Sequence, residues 1–418
     1  MKDSGVEWLG EVPEDWELKR VARLSRRTKI PASGLGIVTA FRDGQVTLRS
    51  NRRTAGFTEA TEFHGYQRIR QGQVAVHKMD GFAGAIGVSD SDGMCSPVLT
   101  LLDCDSGLRP DYLALTLREI SKTGWIEALA KGVRERTTEF GWSDLSWQVV
   151  PLPDIRQQEE IITYLDQETS QMDTLISKKE QLIEKLLERR QALITQVVTK
   201  GLDPNVPMKD SGVEWLGEVP SAWQVKPHWA FLKEKKVPVG NLHSELTLLS
   251  LTKQGVIVRD LEAGGKFPTS FEGYQKVAPD DLVLCLFDVE ETPRTVGLAP
   301  SEGMITSAYT LMRATGINPH FLEWYLIGMD NEKRFKPFYS GLRNTLQKPI
   351  FASIRFAVPL SSEQAEIVQY LDQETSQMDT LVEKTRRAIE LLKERRQALI
   401  TQVVTGKIDV RGFAGGNS

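Results

Sequence analysis

Apolar side chains recur at alternating four- and three-residue steps along residues 155–199, at Ile161, Leu165, Met172, Leu175, Leu182, Leu186 and Leu193. That spacing predicts one long helix carrying a seam for another helix. Glu168, Lys179 and Arg189 interrupt the seam, and a second stripe (Ile162, Ile176, Ile183, Leu187, Ile194) widens the apolar face. The same steps return at Ile367, Leu371, Met378, Leu381, Ala388, Leu392 and Leu399. A helix of this length spans about 65 Å at ~1.5 Å per residue. Left alone it would keep its stripe in water, so each helix needs a partner, and the obvious partner is the other one. Elsewhere short β-rich runs, Gln73–His77, Val98–Leu102, Leu246–Leu251 and Leu282–Phe287, are bounded by Gly, Asp and Pro. Tyr112–Ile120 and Phe321–Gly328 read as short helices behind Pro110 and Pro319. The expected fold class is mixed α/β, that is α+β.

The two helices belong to a duplication. MKDSGVEWLGEVP stands at 1–13 and again at 208–220, YLDQETSQMDTL at 164–175 and 370–381, and ERRQALITQVVT at 188–199 and 394–405. A period of this length is a repeated domain pair rather than a solenoid. Between the identical blocks the halves diverge but still align. FHGYQRIRQGQVAV (63–76) matches FEGYQKVAPDDLVL (271–284), GVRERTT (132–138) matches GLRNTLQ (341–347), and VVPLP (149–153) matches AVPLS (357–361). Identical segments suggest a surface that meets the same partner twice. Divergent segments on one fold suggest two different targets. Gly201, Pro204 and Pro207 break the first helix, and a globular part must be built before the second begins. Antiparallel packing of the helices is therefore expected, with the copies related by a pseudo-twofold axis.

Composition removes several classes. The chain of 418 residues has 52 Lys plus Arg against 56 Asp plus Glu, a net charge of −4, which excludes a uniformly basic coat. No stretch approaches the ~20 consecutive apolar residues of a membrane span. The first twenty residues lack a basic segment followed by an apolar core, so no secretory signal is read there. Three cysteines, Cys95, Cys104 and Cys285, cannot frame a disulfide-stapled fold, and a cytoplasmic setting is expected.

Catalytic chemistry is hard to find. Gly34-Leu35-Gly36 lacks the rest of a phosphate-binding loop, and no Asn-Pro-Pro-aromatic or Asp-Pro-Pro-aromatic tetrapeptide of amino-methyltransferases occurs. His64, His77, His228, His243 and His320 are scattered away from metal-ligand spacing. Pro279-Asp280-Asp281 resembles the start of a metal-nuclease motif, but it aligns with Arg70-Gln71-Gly72 and reads as a turn. Charge says more. Lys19 to Arg53 holds ten basic residues against the single Asp43, a local +9, whereas Lys226 to Asp260 holds six against three. A basic run is usually a solvated face; beside Thr, Ser, Asn and Gln it also suits phosphate contact and base reading.

The duplicated layout, the GYQ(R/K)(I/V) segments, the VPLP-type runs and the helix start Glu/Gln-Ile-Ile/Val-x-Tyr-Leu-Asp resemble the specificity subunit of type I restriction–modification enzymes. Val149–Asp166, Val358–Asp372 and the two GVEWLGEVP copies carry the likeness, which extends over essentially the whole chain. It implies two target-recognition domains, 1–154 and 208–361, each reading one half of a bipartite duplex target. It implies conserved helices at 155–200 and 362–405 that pair antiparallel as a spacer ruler, with a linker at 201–207 and a tail at 406–418. Two modification subunits would dock on the chain, and restriction subunits would join them. S-adenosylmethionine, ATP and Mg would sit on those partners, and this chain would hold no cofactor or metal and catalyse nothing. Trp8, Leu165, Met172, Leu193, Trp215, Leu371, Met378 and Leu399 are the expected packing or docking residues. Arg42, Arg49, Arg52, Arg53, Lys78, Arg134, Arg136, Lys253, Arg259, Arg294, Arg343 and Asn344 are the candidates for DNA contact, with Arg134 and Arg343 favoured because both copies present Gly-x-Arg. Two other readings stay open at this point: a coiled-coil scaffold that bridges identical partners without reading DNA, and a nuclease using Asp280 or Asp281.

Overall fold

The computed structural model describes residues 1–52, 64–126, 140–259, 271, 273–292 and 294–413. It divides into two compact units, Met1–Lys178 with Ala388–Ser418, and Lys179–Arg387. Each long helix, Ile155–Lys200 and Ser361–Val404, contributes one part to each unit.

The first unit is built on a four-stranded antiparallel sheet in the order Ser25–Thr28, Leu99–Cys104, Val74–His77, Ile86–Val88. Val74, Val76 and Ile86 face one way with Leu102, against the helix Pro110–Lys122, whose Tyr112, Leu113, Leu117 and Ile120 are buried. Ala75, Leu99 and Leu101 face the other way, against Val38, Ala40, Val46 and Ile69 from the hairpin Val38–Ala40/Val46–Leu48 and the pair Gln67–Ile69/Gly93–Cys95. The two-residue alternation of a strand thus serves two small cores at once. The second unit repeats the plan, with strands Leu232–Lys235, Thr310–Ala314, Asp281–Leu284 and Val296–Leu298, helix Pro319–Asn331, and hairpin Leu249–Thr252/Gly255–Val258. The predicted strands and short helices are all present, with boundaries moved by at most three residues.

The helical parts run antiparallel within each unit. In the first, Ile161 and Leu165 share a core with Ile400, Val403 and Val404, and Asp173 pairs with Arg396 at 3.0 Å. In the second, Ile367 and Leu371 share a core with Ile194, Val197 and Val198, and Asp379 pairs with Arg190 at 3.2 Å. Asp173 and Asp379 occupy the same place in the identical block YLDQETSQMDTL, as Arg190 and Arg396 do in ERRQALITQVVT. So the first block of each copy meets the second block of the other.

One row of the expected seam is displaced. Leu165, Met172, Leu371 and Met378 are buried as the heptad reading requires. The alternate row is not Leu175, Leu182 and Leu381, which are 43%, 42% and 44% exposed. It lies one residue further on, at Ile176 and Ile183 in the first helix and at Thr375, Val382 and Ile389 in the second. Thr375 and Thr385 tolerate burial because each hydroxyl donates to the carbonyl four residues back, at 2.7 Å.

Both helices end on glycine. Gly201 and Gly406 adopt φ +80° and +73°, the left-handed cap that a side chain resists. Gly201 packs on Pro220 and Trp223, and Gly406 on Pro13 and Trp16. Trp16 and Trp223 are buried, so these aromatics serve packing. Trp8 and Trp215 pack partly buried against the two cores, as do Leu399 and Leu193.

Candidate nucleic-acid surface

The +9 window does not fold into one patch. Its first part lies along the outer strand Ser25–Thr28, where Arg23, Arg26, Arg27 and Lys29 are exposed without a side-chain partner among the described residues. Exposed Arg68 joins them, since its backbone N–H donates to the Ile30 carbonyl at 2.6 Å. Lys19 pairs with Glu17 at 2.5 Å, and the Arg20 guanidinium lies 4.0 Å over the exposed Trp147 ring. The second part rides on the hairpin, which bridges to Ser89 beside the opposite edge strand Ile86–Val88. There Arg42 pairs with Asp80 at 2.7 Å, and Arg52 pairs with Asp43 at 2.7 Å while stacking 4.3 Å over Phe41. The Arg49 Nε donates to Thr39 Oγ1 at 3.4 Å. Sequence adjacency suggested one surface; strand order splits it between the two edges of the sheet.

The other candidates fall into three conditions. Lys78 and Lys253 have no ion-pair partner among the described residues, and Lys253 stands exposed at the hairpin turn. Arg343 is exposed but donates from Nε and Nη2 to Asp288, whose carboxyl is thereby held below its ordinary range, and lies 5.2 Å from the Phe287 ring. Asn344 donates to Glu290 at 3.3 Å, and Arg259 is half-buried with its N–H on the Leu248 carbonyl. Arg294 is committed inward, to Glu323 at 2.8 Å and to the Val296 carbonyl at 2.8 Å. Arg53, Arg134 and Arg136 lie outside the described residues.

Asp281, raised above as a nuclease candidate, is fully buried and holds Lys235 and Arg313, each at 2.5 Å. Its structural counterpart in the first unit is Gln73, one residue beyond the Gly72 read opposite it in the sequence; Gln73 donates to Asp103 at 2.6 Å, and Asp103 in turn pairs with Arg70. The carboxylate has moved to the other strand of the pair and a neutral amide stands in its old place, so this is a cross-strand polar lock rebuilt from different residues. Asp280 faces His320 at 3.7 Å. Among the described residues no group of three or more His, Cys, Asp or Glu is placed to hold a metal. Burial pushes the Cys95 and Cys104 thiols up to about 12 and the Cys285 thiol up from its ordinary value, which disfavours the nucleophilic thiolate at each.

Glutamines at two positions, each present in both copies, build the frame on which these surfaces sit, and both positions had a visible signal. In each GYQ segment the Gln is buried. Gln67 donates to the Leu99 carbonyl at 2.5 Å and Gln275 to the Tyr309 carbonyl at 2.7 Å, which ties the two layers together. At the start of each long helix, Gln158 accepts from the Arg109 N–H and Gln364 from the Asn318 N–H, both at 2.8 Å. The same side chains donate to the Pro153 and Pro359 carbonyls at 2.9 Å. Each therefore clamps the start of a short helix to the start of a long one. Their recurrence at one register in both copies was the clue.

No family model matches this chain, and no curated protein matches it in sequence. Solved structures do match it in fold. A chain from a study of complex assembly and conformational transition of the type I R-M system aligns with 95% of this chain and 100% of its own length, at TM-score 0.70 and 15% identity. The HsdS subunit from Thermoanaerobacter tengcongensis aligns with 95% of this chain and 98% of its own, at TM-score 0.58 and 15% identity. At that identity the likeness establishes the fold, and it does so from end to end.

Proposed function

We propose that this chain is the specificity subunit of a type I restriction–modification complex. Each unit reads one half of a bipartite duplex target, the paired helices set the gap between the halves, and the frame docks two modification subunits. The observation that carries this reading is the end-to-end match to HsdS, which includes both globular parts and both helices. The duplication supports it. The blocks that build the paired helices are identical between the copies, whereas the surfaces bearing Arg26, Arg27 and Lys29 in one unit and Lys233, Glu234 and Lys236 in the other have diverged. Two different target halves call for that contrast. The free cations along Ser25–Thr28 suit phosphate contact, which positions a protein on duplex without reading it. Methyl transfer from S-adenosylmethionine, ATP hydrolysis and Mg-dependent cleavage fall to the partner subunits, and this chain supplies the address.

The test is to co-express the chain with the modification subunit of its own system and map methylated adenines across a genome. A two-part motif with an unread gap is the expected result. An intact complex that methylates at no defined motif would overturn the proposal.

A further inference from the structure

The hairpin of each unit is docked to the core at base and tip by devices that occur in both. At the base stand Gly93 and Gly303. A Cβ on either would lie 2.5 Å from a hairpin-side carbonyl oxygen, that of Gly36 or of Thr247. At the tip stand Gly87 and Gly297, each inside an edge strand. A Cβ on Gly87 would collide with the Gly44 carbonyl, and one on Gly297 would lie 2.9 Å from the Val256 nitrogen. Glycine inside a strand marks such a close backbone approach. Beneath each turn lies a guanidinium: Arg118 against Gly44, and Arg294 against Gly255, where a Cβ would be 3.2 Å from Nη2. These arginines do not occupy equivalent positions. Arg118 comes from the helix Pro110–Lys122, whereas Arg294 precedes the strand Val296–Leu298 and is tied to the helix Pro319–Asn331 through Glu323. Two diverged domains thus reach the same support by different residues.

The turns that are held this way project reading chemistry. Arg42 and Gln45 are exposed in one, Lys253 and Gln254 in the other. A two-stranded ribbon fits the major groove, where Arg or Lys addresses guanine O6 and N7 and Gln addresses adenine N6 and N7. The Arg42–Asp80 pair does not prevent this, because an exposed pair contributes little and exchanges readily. A turn already fixed in place has less freedom to lose on binding.

We propose that the two hairpin turns are the base-reading elements of the two recognition domains, Arg42 and Gln45 for one half-site and Lys253 and Gln254 for the other. Arg118 and Arg294 are positioning residues that hold each turn at a fixed height. This rests on the specificity-subunit reading. The test uses the full chain with its modification subunit and the methylation motif as readout. Arg42→Ala with Gln45→Ala relaxes base preference in one half only, on the order of tenfold or more at a position. Lys253→Ala with Gln254→Ala does the same in the other half. All four side chains are exposed, and unchanged thermal unfolding of the variants confirms that folding is not the cause. Arg118→Lys and Arg294→Lys relax the half-site of the hairpin each supports, a half-specific effect that general destabilisation would not produce. A two-part motif in the wild type that the hairpin variants leave untouched overturns this inference alone. A wild type that writes no motif overturns the specificity-subunit reading and this inference with it.

Discussion

His228 gives the second unit an acid sensitivity that has no counterpart at the aligned position of the first. Its ring is fully buried among Phe351, Phe356, Phe335 and Tyr325, with Nδ1 2.9 Å from the Phe351 carbonyl. Burial pulls its pKa down from 6.5 to about 4, and the bond to Phe351 opposes this only in part. Between those values the unfolded chain binds a proton that the folded chain refuses. Stability is therefore full above about pH 6.5 and falls as the pH drops toward 4. The loss is about 2 kcal/mol at pH 5 and approaches about 3 kcal/mol at the lower end of the window. The aligned position in the first unit is Val21, which does not titrate. Urea unfolding at pH 7.5 and pH 5, for the wild type and His228→Val, isolates this contribution, because the carboxylates titrate alike in both proteins. Hydrogen exchange on the helices Pro319–Asn331 and Pro110–Lys122 assigns the loss to one unit. The variant loses about 2 kcal/mol less on acidification, whatever its stability at neutral pH. An equal acid loss in both proteins would refute the argument.

Three further outcomes are expected. Removing the clamp with Gln158→Ala or Gln364→Ala leaves buried backbone groups unpaired and costs about 2–3 kcal/mol each, read by denaturant unfolding. Asp173→Arg loses at most about 1 kcal/mol, because the pair is half-exposed, and adding Arg396→Asp recovers most of it in a double-mutant cycle. If the helices measure the gap in the target, seven residues inserted into the exposed stretch 177–187 change the spacer of the methylation motif and leave both half-sites intact. The same insertion at Thr195–Thr199 instead lowers stability, because those residues are packed in the core of the second unit.

Long-range pattern was legible in the sequence, and local choice within it was not. Duplication, helix limits and strand positions followed from repeats and spacing. The inner row of the helices came out one residue off because leucine at 175, 182 and 381 fits the heptad step, so that Ile176 and Ile183 read only as a second stripe and Val382 was passed over. Thr375 went unread because a hydroxyl carries no hydrophobic signal, although it is satisfied on the Leu371 carbonyl. The basic window misled for a topological reason. Ser25–Thr28 and the hairpin are close in sequence, yet they attach to opposite edges of the sheet. The hairpin docking did leave a trace, a glycine six positions before Gly-Met in both copies: Gly87 before Gly93-Met94, and Gly297 before Gly303-Met304. The structure places all four inside strands, where glycine marks a backbone passing overhead.

The identity of the repeated blocks has a physical explanation that needs no outside partner. Since 164–175 of one copy packs on 394–405, and 370–381 on 188–199, a change in either block must fit its complement in the other copy. The second block also docks on two short helices that share little sequence. In the first unit Thr401 and Gln397 donate to the buried Glu119, at 2.5 and 2.9 Å. In the second the aligned position is Gly328, where the backbone comes close enough for Thr195 to donate to its carbonyl at 3.4 Å. A polar network and a bare glycine thus accept the same helical surface. One frame can therefore carry recognition domains of different sequence, provided that each supplies some answer at this contact. Gly328→Glu alone would fail, because the backbone there is so close that a Cβ would already lie 3.1 Å from Val198 and 3.5 Å from Ile194. Exchanging whole units with their hairpins would succeed.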